Sequence, residues 1–208
     1  MQSEIEYEVK SRIESESELE GLVEDFQEDT RVLQQDKYYD TKNRDLFEKG
    51  IFLRIRNEKE IEIKYNPDVM DNNHVSCDEY SYIKKITNKE AREISEFLGN
   101  HIEKEKDYCE NISDIMEAFS LEEFVTIKKE RRIYNYDKVD IVIDKVDELG
   151  LYVEIEAKST SFPKKYEDWI KENSLSHIPT GYVEMYLKKN EPETYLKGRY
   201  LLPEDRDR

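Results

Sequence analysis

The chain has 208 residues, enough for one domain with a sizeable hydrophobic core, and its formal net charge is −17. This acidic balance argues against a nucleic-acid binder, which usually presents a basic face. No stretch is apolar enough to span a membrane, and no linker rich in Gly, Ser or Pro divides the sequence. We therefore expect a single cytoplasmic domain over residues 1–208, a monomer or homodimer without nucleic-acid or membrane partners.

The first half of the chain carries strand and helix patterns in turn. Residues 4–10 (EIEYEVK) alternate apolar and charged side chains, which predicts a strand. Apolar residues at helical spacing then predict a helix, marked by Leu19, Leu22, Val23 and Phe26. Further strands are predicted at residues 31–39, 51–56, 61–65 and 75–85, with a connecting segment at 41–50. A second helix is predicted from Asn88 to Leu98.

The second half repeats these patterns after a polar loop at residues 100–111. A short helix around residues 115–119 precedes three predicted strands, at 125–134, 139–144 and 151–158. The rest of the chain is predicted to be helical in short pieces over about residues 163–198. The pattern thus predicts about eight strands within residues 4–158, with helices between and after them.

One face of five predicted strands is charged rather than merely polar. The charged residues include Glu6, Glu8, Lys10, Arg54, Arg56, Glu62, Lys64, Asp140, Asp144, Glu154 and Glu156. An ordinary antiparallel sheet with a solvated charged face would explain this pattern. A closed eight-stranded antiparallel β-barrel, with helices packed outside and charges lining the interior, would explain it equally well. We favour this α+β barrel because water, metal ions and a polyanion can compensate charges that are costly to bury.

The charges are sorted by sign along the strands. Glu6 with Glu8, and Glu154 with Glu156, lie about 7 Å apart on one strand face. Such carboxylates suit hard cations, either Mg²⁺ or Mn²⁺. The intervening strands supply side chains that suit phosphate oxygens, namely Arg54, Arg56 and Lys64. The pattern therefore predicts a site for a metal–polyphosphate complex.

Five motifs in chain order resemble those of the CYTH superfamily, the triphosphate tunnel metalloenzymes. They are EYEVK (6–10), QDKYYDT (35–41), LRIR (53–56), KKERRIY (128–134) and IDKVDELGLYVEIE (143–156). The resemblance implies a triphosphate tunnel and divalent-metal-dependent hydrolysis of an inorganic, thiamine or nucleoside triphosphate, with Mg²⁺ or Mn²⁺ as cofactor. One metal ion would neutralise phosphate charge and another would lower the pKa of the attacking water.

The resemblance also implies residue roles. The catalytic residues would be Glu6, Glu8, Lys10, Glu154 and Glu156. The metal-associated residues would be Glu6, Glu8, Asp144, Glu154 and Glu156. The phosphate-binding residues would be Lys10, Arg54, Arg56, Lys64, Lys129 and Arg131. Strand alternation alone would instead select Lys128 and Arg132, because Lys129 and Arg131 share their face with apolar residues.

Two other functions fit the same motifs. A class IV adenylyl cyclase would use the same ligands while the ribose 3′-hydroxyl attacks the α-phosphate and pyrophosphate leaves. A tunnel that binds a polyphosphate or nucleotide without turnover is the second alternative. It is kept open by an incomplete fifth-strand motif, which offers only Glu79, and by the absence of a lysine in PTGY (179–182) before the last predicted helices.

Overall fold

The computed structural model describes residues 4–67, 76–107, 109–136, 139–157 and 164–206. For residues 4–7, 76, 136 and 164–167 the description is limited to the backbone. The strands are β1 Glu4–Ile13, β2 Thr30–Asp40, β3 Ile51–Arg56, β4 Glu60–Tyr65, β5 Ser76–Ile83, β6 Glu122–Tyr136, β7 Val139–Val146 and β8 Gly150–Ala157. The helices are α1 Glu16–Val23, α2 Asp45–Glu48, α3 Asn88–Gly99, α4 Ile112–Ala118, α5 Lys164–Glu172, α6 Tyr182–Asn190 and α7 Pro192–Tyr195, followed by a 3₁₀ turn at Pro203–Asp205.

The strands form one antiparallel sheet in the order β1-β5-β4-β3-β2-β6-β7-β8. The sheet curls until β1 pairs with β8 over Tyr7–Ile13 and with β5 over Glu4–Tyr7. The α+β fold with an eight-stranded antiparallel sheet is thus confirmed. Closure is less complete than predicted, because among the described residues the β1–β5 edge is joined over four residue pairs only. The stagger of barrel strands explains this, since each strand covers only part of its neighbour.

Helices cover the outer face of the sheet, as predicted. Apolar residues that alternate with the inward charges along a strand lie on this outer face. Ile61 and Ile63 of β4 pack with Ala91 and Ile94 of α3. On the opposite side, α1 packs on β7 and β8 in a cluster that includes Leu19, Leu22, Ile141, Ile143 and Val153.

The C-terminal helices α6 and α7 occupy a different position. Ile127 lies two residues before Lys129, and Tyr152 lies two residues before Glu154, so each pair shares the inner face of its strand. Both apolar residues belong to a buried cluster with Val183 and Leu187 of α6. Helix α6 therefore covers one end of the interior, next to the charged side chains.

The predicted elements lie within a few residues of the observed ones. The main difference is α2, which lies in the predicted connection at 41–50. Buried Asp40 holds this short helix by accepting hydrogen bonds from the N–H groups of Leu46 and Phe47, both 2.9 Å long. Such capping by a distant carboxylate has no periodic signal in the sequence. No helix in the described part of the chain is both long enough and apolar enough to cross a membrane.

Candidate functional site: a charged cavity inside the sheet

The inner faces of the strands and the start of α6 enclose a cavity of about 470 Å³. Six cations line it, namely Lys10, Arg54, Arg56, Lys64, Lys129 and Arg131. Seven carboxylates also line it, namely Glu8, Glu62, Glu79, Asp140, Glu154, Glu156 and Glu184. In the whole chain acidic residues outnumber basic ones by 50 to 33. Cations therefore make up a larger share of the charged residues in the cavity than in the whole chain, while the lining still has one more carboxylate than cation.

Strands β2, β3 and β4 contribute one network of buried ion pairs. Asp36 accepts hydrogen bonds from Arg56 Nε at 2.7 Å and Nη2 at 2.9 Å, and lies 3.3 Å from Arg54 Nη1. Glu62 accepts from Arg54 Nε at 2.5 Å and from Arg56 Nη1 at 3.1 Å. Burial opposes ionisation of Asp36, but the two guanidinium groups outweigh burial and hold its pKa well below the usual range. The two carboxylates therefore fix both arginines in the cavity wall.

Strands β6, β7 and β8 contribute a second network, centred on Arg131. Asp144 accepts from Arg131 Nε at 2.8 Å and from Lys129 Nζ at 2.7 Å. Arg131 also donates to Glu154 Oε2 at 2.5 Å and to Glu156 Oε1 at 2.8 Å. Burial opposes ionisation of Glu154, but the neighbouring cations outweigh it and hold the Glu154 pKa well below its usual value.

Three carboxylates converge where β1 meets β8. Glu8 is the Cα partner of Glu156, and carboxylate oxygens of Glu8, Glu154 and Glu156 lie within 4.8 Å of one another. Lys10 lies among them, with Nζ 2.7 Å from Glu8 and 3.1 Å from Glu154. Burial would lower the Lys10 pKa, but the two carboxylates outweigh burial and raise it. An all-oxygen donor set of this kind fits Mg²⁺ or Mn²⁺, so these three residues could hold a divalent ion.

The family sequence model of the CYTH domain matches residues 4–182. The chain belongs to the CYTH family. No curated protein is matched by this CYTH sequence.

Solved structures share the fold of this CYTH chain at low sequence identity. The PH1819 protein of Pyrococcus horikoshii is 20% identical, with a TM-score of 0.64 and coverage of 89% of this chain and 99% of that one. A putative adenylate cyclase of Vibrio parahaemolyticus is 19% identical, with a TM-score of 0.57 and coverage of 89% and 99%. A putative adenylyl cyclase of Hippeastrum, described as having a dominant triphosphatase activity, is 18% identical, with a TM-score of 0.56 and coverage of 96% and 98%.

Most of the residues predicted for the CYTH site line this one cavity. They are Glu8, Lys10, Arg54, Arg56, Lys64, Lys129, Arg131, Glu154 and Glu156. Glu6 shares the strand face of Glu8, but its side chain lies outside the described residues. Asp144 is fully buried and bonded to Lys129, Arg131 and Tyr182, and it is not part of the converging carboxylate group.

The family motif and strand alternation assigned different cations of β6 to the site, and the structure distinguishes between the two assignments. Lys129 and Arg131 face the CYTH cavity, whereas Lys128 is exposed and Arg132 pairs with Glu130 at 3.3 Å. The prediction from alternation was wrong for β6 because it assumed that every apolar side chain lies on the outer face of the sheet. The inner face of β6 begins with apolar residues because that end of the strand packs on α6.

The sequence assigned no role to four residues of this site, of which it placed only Glu62 among the inward charges: Asp36, Glu62, Tyr182 and Glu184. Asp36 and Glu62 carry a readable signal, because each lies on the inner face of its strand and is charged. Tyr182 donates to Asp144 at 3.1 Å, and Lys10 Nζ lies 4.5 Å from the centre of its ring. Tyr182 and Glu184 lie on α6, whose position against the open end of the CYTH sheet has no signal in the local sequence.

Proposed function

We propose that this protein hydrolyses the phosphoanhydride bond of a triphosphate compound that is bound with a divalent metal ion in the charged cavity. The observation that carries the proposal is the combination of two groups in one space of about 470 Å³. Three converging carboxylates could hold the metal ion, and six cations lie around them. A metal–triphosphate complex needs both kinds of ligand at once.

The ion pairs of the cavity support this proposal because a metal–triphosphate complex offers a partner of opposite charge to both members of each pair. Lys10 is held by Glu8 and Glu154, and Arg131 by Glu154 and Glu156. Phosphate oxygens would become the partners of Lys10 and Arg131, while the metal ion becomes the partner of the carboxylates. Each buried charge would then keep a partner of opposite sign, and a buried charge without one is strongly destabilising.

Each group of residues has a distinct role in this proposal. Phosphate oxygens would be bound by Lys10, Arg54, Arg56, Lys64, Lys129 and Arg131. The metal ion would be held by Glu8, Glu154 and Glu156, together with Glu6 on the same strand face. When bound, the metal supplies charge neutralisation and an activated water. Asp144 would position Lys129 and Arg131, because it accepts hydrogen bonds from both.

The arginine wall would stabilise the reacting phosphate. Arg54 and Arg56 project from one strand and are held in place by Asp36 and Glu62. Guanidinium groups fixed in this way can stabilise negative charge on the equatorial oxygens without reorganising during the reaction. We also propose that the sheet closes fully around the bound substrate and that residues 1–208 act as one domain.

The relatives support hydrolysis and keep one alternative open. The Hippeastrum protein is described by a dominant triphosphatase activity, while the Vibrio protein is named a putative adenylate cyclase. Both reactions require the same metal and phosphate ligands. Cyclase activity is therefore the alternative that an experiment must separate from hydrolysis.

Product analysis tests the proposal. The protein is incubated with tripolyphosphate, thiamine triphosphate or ATP, with Mg²⁺ or Mn²⁺, and the products are separated by chromatography. We expect metal-dependent release of orthophosphate from at least one of them. Cyclic AMP and pyrophosphate from ATP would assign the cyclase reaction instead. Tight binding without any product would assign a binding tunnel.

A further inference from the structure

Glu184 is a buried carboxyl group of the cavity that the proposed reaction leaves without a role. It lies in the first turn of α6, lines the cavity and is only 1% exposed. Neither of its side-chain oxygens has a hydrogen-bond partner among the described residues. Burying a polar group without a partner costs about 1–3 kcal/mol, so a carboxyl group kept here needs an explanation.

The backbone next to Glu184 is arranged to make room for its carboxyl group. The N-cap residue of α6 is Gly181, which offers no side-chain cap for the first helical N–H groups. A Cβ atom at this position would lie 2.7 Å from Glu184 Oε2. Glycine therefore leaves the space that the carboxyl group occupies at the N-terminal end of α6.

We propose that Glu184 contacts a phosphate group of the bound triphosphate directly and donates a hydrogen bond to it at the start of α6. This inference rests on the proposed function, since it requires a triphosphate in the cavity. This contact would give the carboxyl group of Glu184 a hydrogen-bond partner. It would also fix the position of the phosphate group that lies nearest α6.

The charges around Glu184 favour the neutral acid that such a bond requires. Burial raises the Glu184 pKa to about 7 and Glu8 of β1 acts in the same direction, whereas the backbone N–H groups of Glu184 and Gly181 and the ammonium group of Lys10 act against them. Lys129 of β6 lies in the same cavity, and Lys188 of α6 pairs with Asp205. A bound polyanion disfavours the carboxylate further. A proton taken up from solution would leave one oxygen as donor to phosphate and the other as acceptor.

Calorimetric titration with tripolyphosphate in the absence of metal tests this contact. The proteins compared are wild type, Glu184→Gln, Glu184→Leu and, as a control, Glu193→Gln, which alters an exposed carboxylate of α7. Titrations are made about one pH unit below and above the Glu184 pKa. Each affinity is compared with that of the control at the same pH, which cancels the protonation of tripolyphosphate itself.

At the lower pH we expect Glu184→Gln to bind like wild type, because its amide can donate the same hydrogen bond. Glu184→Leu should bind about tenfold more weakly. Raising the pH should weaken wild type several-fold more than Glu184→Gln. Equal affinities of Glu184→Leu and wild type would overturn the inference. If the leucine variant does not fold, an identical pH dependence for wild type and Glu184→Gln would overturn it.

The same titration separates this inference from the proposed function. If wild type binds tripolyphosphate and the Glu184 variants behave like the control, the contact is wrong and the proposed function stands. If wild type does not bind any of the three triphosphates, with or without metal, the proposed function fails and the inference fails with it.

Discussion

Glu8 of β1 and Glu156 of β8 lie directly opposite each other as Cα partners. These two strands are the first and the last in chain order. Glu154 lies next to them, and oxygens of the three side chains come within 4.8 Å of one another. Lys10 and Arg131 separate these negative charges. The candidate metal site thus forms only when the first and last strands have paired.

The adjacent residues Lys128 and Lys129 give a matched test of the phosphate site. Lys129 is buried in the cavity beside Asp144, whereas Lys128 is exposed on the other face of β6. We expect Lys129→Gln to weaken tripolyphosphate binding by about tenfold or more, because a buried charged hydrogen bond is lost. Lys128→Gln should bind like wild type. Equal affinities of the two variants in titration calorimetry would contradict this assignment.

Arg56 should support both stability and binding. It donates to both oxygens of buried Asp36 and to Glu62. Its removal leaves Asp36 partly uncompensated, so we expect Arg56→Ala to lower the free energy of unfolding by about 2–4 kcal/mol and to weaken tripolyphosphate binding.

Arg31→Ala is the control for Arg56→Ala, because Arg31 is half exposed and pairs with Glu28 at the surface. Arg31→Ala should lower the free energy of unfolding far less than Arg56→Ala and should leave binding unchanged. Urea unfolding and calorimetry measure both quantities. An Arg56→Ala protein as stable as wild type would show that the Asp36 network does not fix the arginine wall.

Acid should destabilise the protein by protonating its buried carboxylates. Burial opposes ionisation of Asp36, Glu62 and Glu154, but neighbouring cations outweigh burial and lower the three pKa values. The folded protein then binds fewer protons than the unfolded chain. The stability contributed by these groups is therefore fully present above the ordinary Glu value of 4.5 and is lost as the pH falls below it.

The unfolding temperature measured across pH checks this expectation. It should fall steeply in wild type as the pH drops from about 4.5 towards about 2. Asp36→Asn should unfold at a lower temperature at neutral pH and should decline less steeply in acid. A wild-type unfolding temperature that stays level throughout that range would contradict the inferred ionisation of the network.

The strands and their inner faces could be predicted from the sequence because alternation is a local property. The same pattern correctly placed Arg54, Arg56, Glu154 and Glu156 on inner faces. The CYTH motifs added Lys129, which alternation had assigned to the other face. Both signals depend on residues two apart along one strand.

The rest of the site depends on contacts between distant segments. Tyr182 and Glu184 line the cavity because α6 packs across the end of the sheet, and no local pattern reports that packing. The pairing of Asp144 with Lys129 and Arg131 could likewise not be predicted. A carboxylate that pairs with a lysine or arginine of the protein has the same local sequence pattern as one that could bind a metal ion. Register and helix docking decide which carboxylate binds a cation of the protein and which could bind a metal.

The most direct test of the central claim is the Mn²⁺-dependent release of orthophosphate from tripolyphosphate by wild type, Glu156→Gln and the control Glu60→Gln, which alters an exposed carboxylate of β4. Glu156→Gln keeps the size of the side chain and removes one of three converging charges. Its unfolding temperature without metal should change little, because Arg131 keeps Asp144 and Glu154 as partners. We expect its metal-dependent turnover to fall by at least about tenfold, together with the stabilisation by Mn²⁺, while the control behaves like wild type. Unchanged turnover and unchanged stabilisation by Mn²⁺ in Glu156→Gln would contradict the metal site and the hydrolysis built on it.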